Sequence, residues 1–217
     1  MNEGHAEGYT DGYNFGHADG YNEAKAEEET LFTTYGTMYK RNMVVTADGT
    51  QGFRPYTYWK ADKMETLETP NLQEAANGQG YVFQDCTALK TASLPKIQRI
   101  GVRFFYNCTA LEELTLGCEE YPMVAIGNNA FQNCSGLVRL NLIGTIANTM
   151  TFQFSPLSVE SMKMVIASLV NLTGTGNEYA YTVKFSEECW AALEADSTAP
   201  DGCKWRDYVV SALCWTT

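Results

Sequence analysis

Phe83-Gln84-Asp85-Cys86-Thr87-Ala88-Leu89 returns with small changes as Phe105-Tyr106-Asn107-Cys108-Thr109-Ala110-Leu111, and again as Phe131-Gln132-Asn133-Cys134-Ser135-Gly136-Leu137. The three cysteines stand 22 and then 26 residues apart. A phrase recurring at a short period marks a solenoid, here with a unit too short to be a pair of helices. Arrays of this kind bury one continuous core and turn their variable residues outward, so binding rather than catalysis is the expected role.

After each phrase the apolar residues keep one rhythm: Leu89, Ala92, Leu94; Leu111, Leu114, Leu116; Leu137, Leu140, Leu142. The last two of each set are two apart, which on a strand turns both inward and the residues beside them outward. A second apolar set comes next, Ile97 and Ile100 in one coil and Val124 and Ile126 in the next, each last Ile preceding a glycine, Gly101 or Gly127. Those glycines suit a tight corner leading to the next Phe. Met64, Leu67 and Pro70 match the spacing of Leu89, Ala92 and Pro95, so an imperfect earlier coil is expected. The prediction is about four coils over residues 61–157.

The combination F-x-[ND]-C-[TS]-x-L-x-x-L-x-L with a following I-G resembles the BspA-type leucine-rich repeat, found in surface proteins of gut and oral bacteria, protists and some phages. Three matching coils carry the resemblance, over less than half of the chain. It implies a leucine-rich solenoid that adheres to or recognises a host or matrix component, and it implies no catalytic residues.

The first 38 residues obey a different rule. Glycine recurs every fourth position, at Gly4, Gly8, Gly12, Gly16 and Gly20, with Ala24 in the sixth place; His or Tyr comes after each glycine, including Tyr9, Tyr13 and Tyr21. On an α-helix, four residues advance about 400°, so the glycine stripe drifts about 40° per repeat. Small residues at this spacing let two helices approach closely with a right-handed crossing. Five interior glycines disfavour a lone helix by roughly 5 kcal/mol, so a partner must stabilise it. The drift accumulates to about 160° from Gly4 to Gly20, which favours a trimer or larger bundle over a simple pair. The pattern resembles the glycine repeats of FliH-type flagellar export regulators, which are helical. The alternative is a disordered Gly/Tyr/acidic tail.

Residues 39–60 read as a β-hairpin cap, because strand-forming segments flank Asp48-Gly49. Residues 158–217 read as a helical cap and then a small α/β unit. Ser158 precedes Val159, Met162, Val165, Ile166 and Leu169 at helical spacing; Tyr179 to Phe185 reads as a strand; Ser186 caps a helix to about Ala195; and Pro200-Asp201-Gly202 leads into a last helix to about Leu213. Trp190, Trp205, Tyr208 and Trp215 are the expected core of this unit. The fold class is thus α+β.

The chemistry available for catalysis is thin. The only histidines are His5 and His17, inside the glycine ladder, and neither a P-loop nor a dinucleotide fingerprint is present. A pair of carboxylates could serve a glycoside hydrolase, so a polysaccharide depolymerase stays open as a minority reading. Seven cysteines without C-x-x-C spacing read as thiols, three of them in the repeat core, with a bridge from Cys189 to Cys203 or Cys214 left open. No cofactor and no metal site are expected. A net charge of −11 argues against nucleic acid or an anionic membrane as partner.

The residues expected to face outward from the strands, and so to meet a ligand, are Thr91, Ser93, Glu113, Thr115, Arg139 and Asn141. They are small and mixed, and could suit a glycan or a protein. The start carries neither a basic segment nor an apolar run of signal-peptide length, so a virion made in the host cytoplasm is the expected location and the bacterial surface the alternative. The leading expectation is a non-enzymatic recognition or structural component of a phage tail or head fibre. A bacterial surface adhesin is the second reading.

Overall fold

The structure, a computed structural model, describes residues 42–44, 58–72 and 80–217. The glycine ladder, with Gly4, Gly8, Gly12, Gly16, Gly20, Tyr9, Tyr13 and Tyr21, lies outside them, as do Asp48-Gly49 and most of the expected hairpin.

Five short strands form one parallel sheet in the order β1 (Asn42–Val44), β2 (Thr66–Glu68), β3 (Thr91–Leu94), β5 (Glu113–Leu116) and β7 (Arg139–Leu142). Between them, β4 (Arg99–Ile100) pairs in parallel with β6 (Ala125–Ile126) on a second, smaller sheet. The register places Leu67, Ala92, Leu114 and Leu140 side by side, and Leu94 beside Leu116 and Leu142. All of these are buried. The match of Leu67 to Ala92 is the one expected from the imperfect early coil. Asn42–Val44, in the first arm of the expected hairpin, pairs in parallel with β2 and extends the main sheet.

Opposite the strands, aromatic rings stack from repeat to repeat. Tyr58, Phe83, Phe105, Phe131, Phe152 and Phe185 form one file, with ring centroids 5.1, 5.4, 6.3, 5.1 and 5.9 Å apart and neighbouring planes within 28° of parallel. Such pairs add about 0.5–1.5 kcal/mol each beyond the burial of their area. Beside the file, each repeat thiol donates to the carbonyl of the preceding ladder ring's residue: Cys86 to Tyr58 at 3.0 Å, Cys108 to Phe83 at 3.1 Å and Cys134 to Phe105 at 3.1 Å. A small donor that fits among packed rings explains why cysteine recurs. None of the seven cysteines forms a disulfide.

The Asp or Asn before each cysteine also has a backbone cause. Asp85, Asn107 and Asn133 adopt φ of 62°, 60° and 62°, in the left-handed region that Asn and Asp tolerate better than other side-chain-bearing residues. Gly127, one of the two glycines expected at a corner, also has a packing reason. A Cβ on Gly127 would lie 2.2 Å from the carbonyl carbon of Gly101, so glycine is required because successive repeats touch backbone to backbone.

The parallel sheet ends at a helix. Strand after strand, the same bond recurs: Lys90 N donates to Glu65 O, Glu112 N to Lys90 O, Val138 N to Glu112 O, and finally Ser158 N to Val138 O. At that point α1 (Val159–Ala167) begins, with the Ser158 hydroxyl accepting from Ser161 N as N-cap. Its serines bond the open edge of β7: Leu140 N donates to Ser161 Oγ at 2.8 Å, Ser161 Oγ donates to Val138 O at 3.2 Å, and Ser168 Oγ to Leu142 O at 3.1 Å. The smaller sheet is closed similarly, since the side-chain amide of Asn148 accepts from Ile126 N at 3.1 Å and donates to Ile126 O.

Beyond α1, β8 (Met150–Phe152) pairs in parallel with β9 (Val183–Phe185), and the chain continues through α2 (Glu187–Glu194), a 3-10 turn at Pro200–Gly202, and α3 (Trp205–Asp207) running into a π-helical turn at Tyr208–Ala212. The described residues thus mix parallel strands with three α-helices. Trp190, Trp205 and Trp215 are buried and Tyr208 packs partly against them, as expected, and Ser186 caps α2. The strand expected from Tyr179 is shorter, because Tyr179 itself takes φ 60° and stands 53% exposed. The final residues close this end: Thr216 N donates to Tyr181 O, Val183 N to Thr216 O, and Trp215 Nε1 to Val170 O at 2.8 Å.

Candidate functional site

The inward residues of β3, β5 and β7 leave the alternate positions outside. Register brings them into two rows, Thr91 beside Glu113 beside Arg139, and Ser93 beside Thr115 beside Asn141. The six residues expected to meet a ligand therefore share one face of three adjacent strands. β2 lengthens the rows with Thr66 and Glu68, which the repeat phrase does not reveal because the first repeat lacks Phe-x-Asn-Cys. Glu113 and Arg139, neighbours along one row, form an ion pair between β5 and β7, both side chains about half exposed. A parallel pair, Lys90 Nζ to Glu65 at 3.1 Å, lies one residue earlier in the preceding strands. Exposed pairs of this kind contribute little to stability, which leaves their charges available for recognition.

The buried thiols of the repeats are held in their unreactive form. Burial pushes the Cys134 thiol up to about 12 and raises Cys108 well above its ordinary value, with the neighbouring Cys86 adding to the effect. These thiols stay protonated and packed, unlike a nucleophile, which needs a thiolate. No cluster of His, Cys, Asp and Glu among the described residues could hold a metal ion, and neither histidine falls within them. Asp85 is half-buried and already occupied: Asn107 Nδ2 donates to it at 2.8 Å, Trp59 Nε1 at 3.2 Å and Gln84 Nε2 at 3.2 Å. It locks the ridge of turns together and is not a free carboxylate. A shallow cleft lies at the junction with the C-terminal unit, between Gln153, Phe154, Pro156 and Glu188. No helix among the described residues is long and apolar enough to cross a membrane.

The parallel in-register strands, the periodic leucines and the polar outer rows define a leucine-rich-repeat protein. The chain belongs to the BspA-type leucine-rich repeat family: the model of the BspA type Leucine rich repeat region matches residues 52–175 in six copies. That range is wider at both ends than the 61–157 read from the phrase alone. No curated protein and no solved structure matches the chain.

Proposed function

We propose that the protein is a non-enzymatic recognition protein whose leucine-rich solenoid binds a host-surface glycan or protein through the outer rows of its parallel sheet. The observation that carries this reading is the register of Thr91, Glu113 and Arg139 beside Ser93, Thr115 and Asn141. Repetition builds a polar surface in which the outward positions of β3, β5 and β7 differ from repeat to repeat, while the inward positions stay apolar, leucine everywhere except Ala92. Variation confined to one face is what selection for a ligand produces on an invariant scaffold.

The finer reading is a component of a phage tail or head fibre. It draws support from the coupling of such an array to the four-residue glycine ladder, whose small-residue spacing suits association of several helices. In that reading residues 1–38 join copies of the chain and the repeats face outward.

Incubation with capsular polysaccharides, scored for retention and for release of shorter chains, tests the first part. Retention that Arg139→Ala and Asn141→Ala weaken, without release, is the expected result. Release of shorter chains would establish a depolymerase and sink the non-enzymatic reading. Light scattering of the full chain beside one beginning at Thr30 tests the second part. Equal monomeric masses would remove the association claim.

A further inference from the structure

Among the described residues the sheet face lacks aromatic anchors, and the ridge of turns on the other side of the repeats has them. Arg103 is exposed there, its guanidinium 5.1 Å from the ring of Tyr106 and 5.9 Å from that of Tyr81. Among the described residues no carboxylate pairs with it, although the chain carries 26 acidic residues against 15 basic ones. Arg139 and Arg206, by contrast, pair with Glu113 and Glu187.

Its backbone makes Arg103 stranger still. Tyr81, Arg103 and Asn129 occupy one position in three successive repeats, with φ of 63°, 53° and 58°. Asn129 is the residue type that this left-handed conformation favours; Tyr and Arg carry a cost there. The two costly residues are the two whose side chains meet. Residues held in sparsely populated backbone regions concentrate where a function requires them. Beside them Val102 stands 40% exposed, adding an apolar contact.

We propose that Tyr81, Val102, Arg103 and Tyr106 form a second docking surface, separate from the sheet face, that takes a carboxylate side chain from an acidic segment of another protein. The guanidinium offers a planar fork suited to a carboxylate, and the two rings hold it in place before binding, so little freedom is lost. Tyrosine and arginine are also the residues that dominate protein interfaces. A sugar ring is the poorer fit, because Arg103 already lies over one face of each tyrosine ring.

The test uses the full chain and dye-labelled hexapeptides that alternate Glu with Leu or Gln with Leu, read by fluorescence anisotropy. The Glu peptide is expected to bind about tenfold more tightly, the difference a charge-assisted bidentate contact makes. With a net charge of −11 the chain repels acidic peptides at long range, so such a preference reports the local guanidinium. Arg103→Lys should weaken binding several-fold, and Arg103→Asn, which installs the residue of position 129, should abolish the preference while leaving thermal unfolding intact. Arg139→Ala, which is expected to weaken retention at the sheet face, should leave the affinity for the Glu peptide as it is, and this keeps the two surfaces distinguishable. Equal binding of the two peptides, or a preference that survives Arg103→Asn, overturns the proposal. Arg103-dependent binding of oligogalacturonate in place of the Glu peptide also overturns it, in favour of an acidic glycan.

Discussion

The repeat region and the C-terminal unit are joined by a shared aromatic file, yet they are built on opposite principles. In the repeats each side chain meets its own equivalent: Phe105 lies on Phe83 and Phe131, Leu114 beside Ala92 and Leu140. In the C-terminal unit each contact is made once, as when Trp190 meets Phe185 edge-on or the Trp215 indole donates to Val170 O. A repeated contact has two neighbours to lose, and a unique contact has one specific partner. Damage should therefore spread along the array in the first region and stay local in the second.

The largest expected effect breaks the file in its middle. Phe105→Ala should cost about 3–5 kcal/mol, near the cost of burying and then deleting a large aromatic. Phe185→Ala, at the file's end, should cost less, because only Phe152 stacks on it and Trp190 can move in. Urea unfolding of the two variants measures the gap; equal losses would show that stacking on both sides adds nothing.

Gly127→Ala comes next. Its methyl group would meet the Gly101 backbone at 2.2 Å, and backbone cannot swing aside as a side chain can. A loss of about 1–3 kcal/mol is expected from overpacking. Gly174→Ala is the control for the unique region: nothing lies within 4 Å of that Cβ, so only its φ of 72° resists the change. Thermal melts of both variants compare a stacked glycine with an open one.

Ser161→Ala removes the acceptor for Leu140 N and the donor to Val138 O together. Val138 O keeps its bond from Ser158 N, but leaving the buried Leu140 N–H unpaired should cost about 1–3 kcal/mol and raise hydrogen exchange at Leu140 before it rises at Leu114. Exchange that rises equally in both strands would count against a cap acting at the edge.

The smallest effects are those of pH. Asp196, on the loop after α2, is held down to about 2 by its hydrogen bond to Lys163 of α1 at 2.8 Å and by Thr198. A depressed carboxylate stabilises the fold above its ordinary value of 3.8 and loses that contribution as pH falls toward 2. Asp196→Asn should therefore flatten a shallow acid-side slope in stability. The raised thiols of the array act on the other side: their contribution is whole below their ordinary value of 9.0 and is lost as pH climbs toward 12. Alkylation at neutral pH should accordingly reach the exposed Cys203 first, and Cys86, Cys108 and Cys134 only on unfolding.

Much of the array is readable in the sequence because its physics is periodic. The L-x-L pairs predict which residues of β3, β5 and β7 face inward, and the register agrees. The candidate rows come from the same alternation. Tyr58, Phe152 and Phe185 escape notice because a stack selects the ring alone, whatever its neighbours along the chain: no Asn-Cys accompanies Phe152, and Ser155 stands three residues on, where the three phrase-bearing repeats have cysteine. The Arg103 cluster escapes for a related reason. Its members are scattered through phrases whose buried positions dominate the pattern, and only folding sets Tyr81 and Tyr106 around the guanidinium. The C-terminal unit is readable where a local rule governs it, as at Ser158 and Ser186, and not where the last helix loosens into a π-turn after Asp207.

The serine-bearing helix on β7 also bears on how this protein could change its length over evolutionary time. Interior repeats meet their neighbours through the same bonds, whereas Ser161, Ser168 and Asn148 fit one place only. A duplicated unit inserted between Leu111 and Phe131 would find a ring below it, a ring above it and a carbonyl for its thiol. The terminus would travel outward unaltered. The array is thus open to insertion from within and closed to extension at this end, so lineages can diversify the outward rows by gaining or losing whole repeats while inheriting the same final helix.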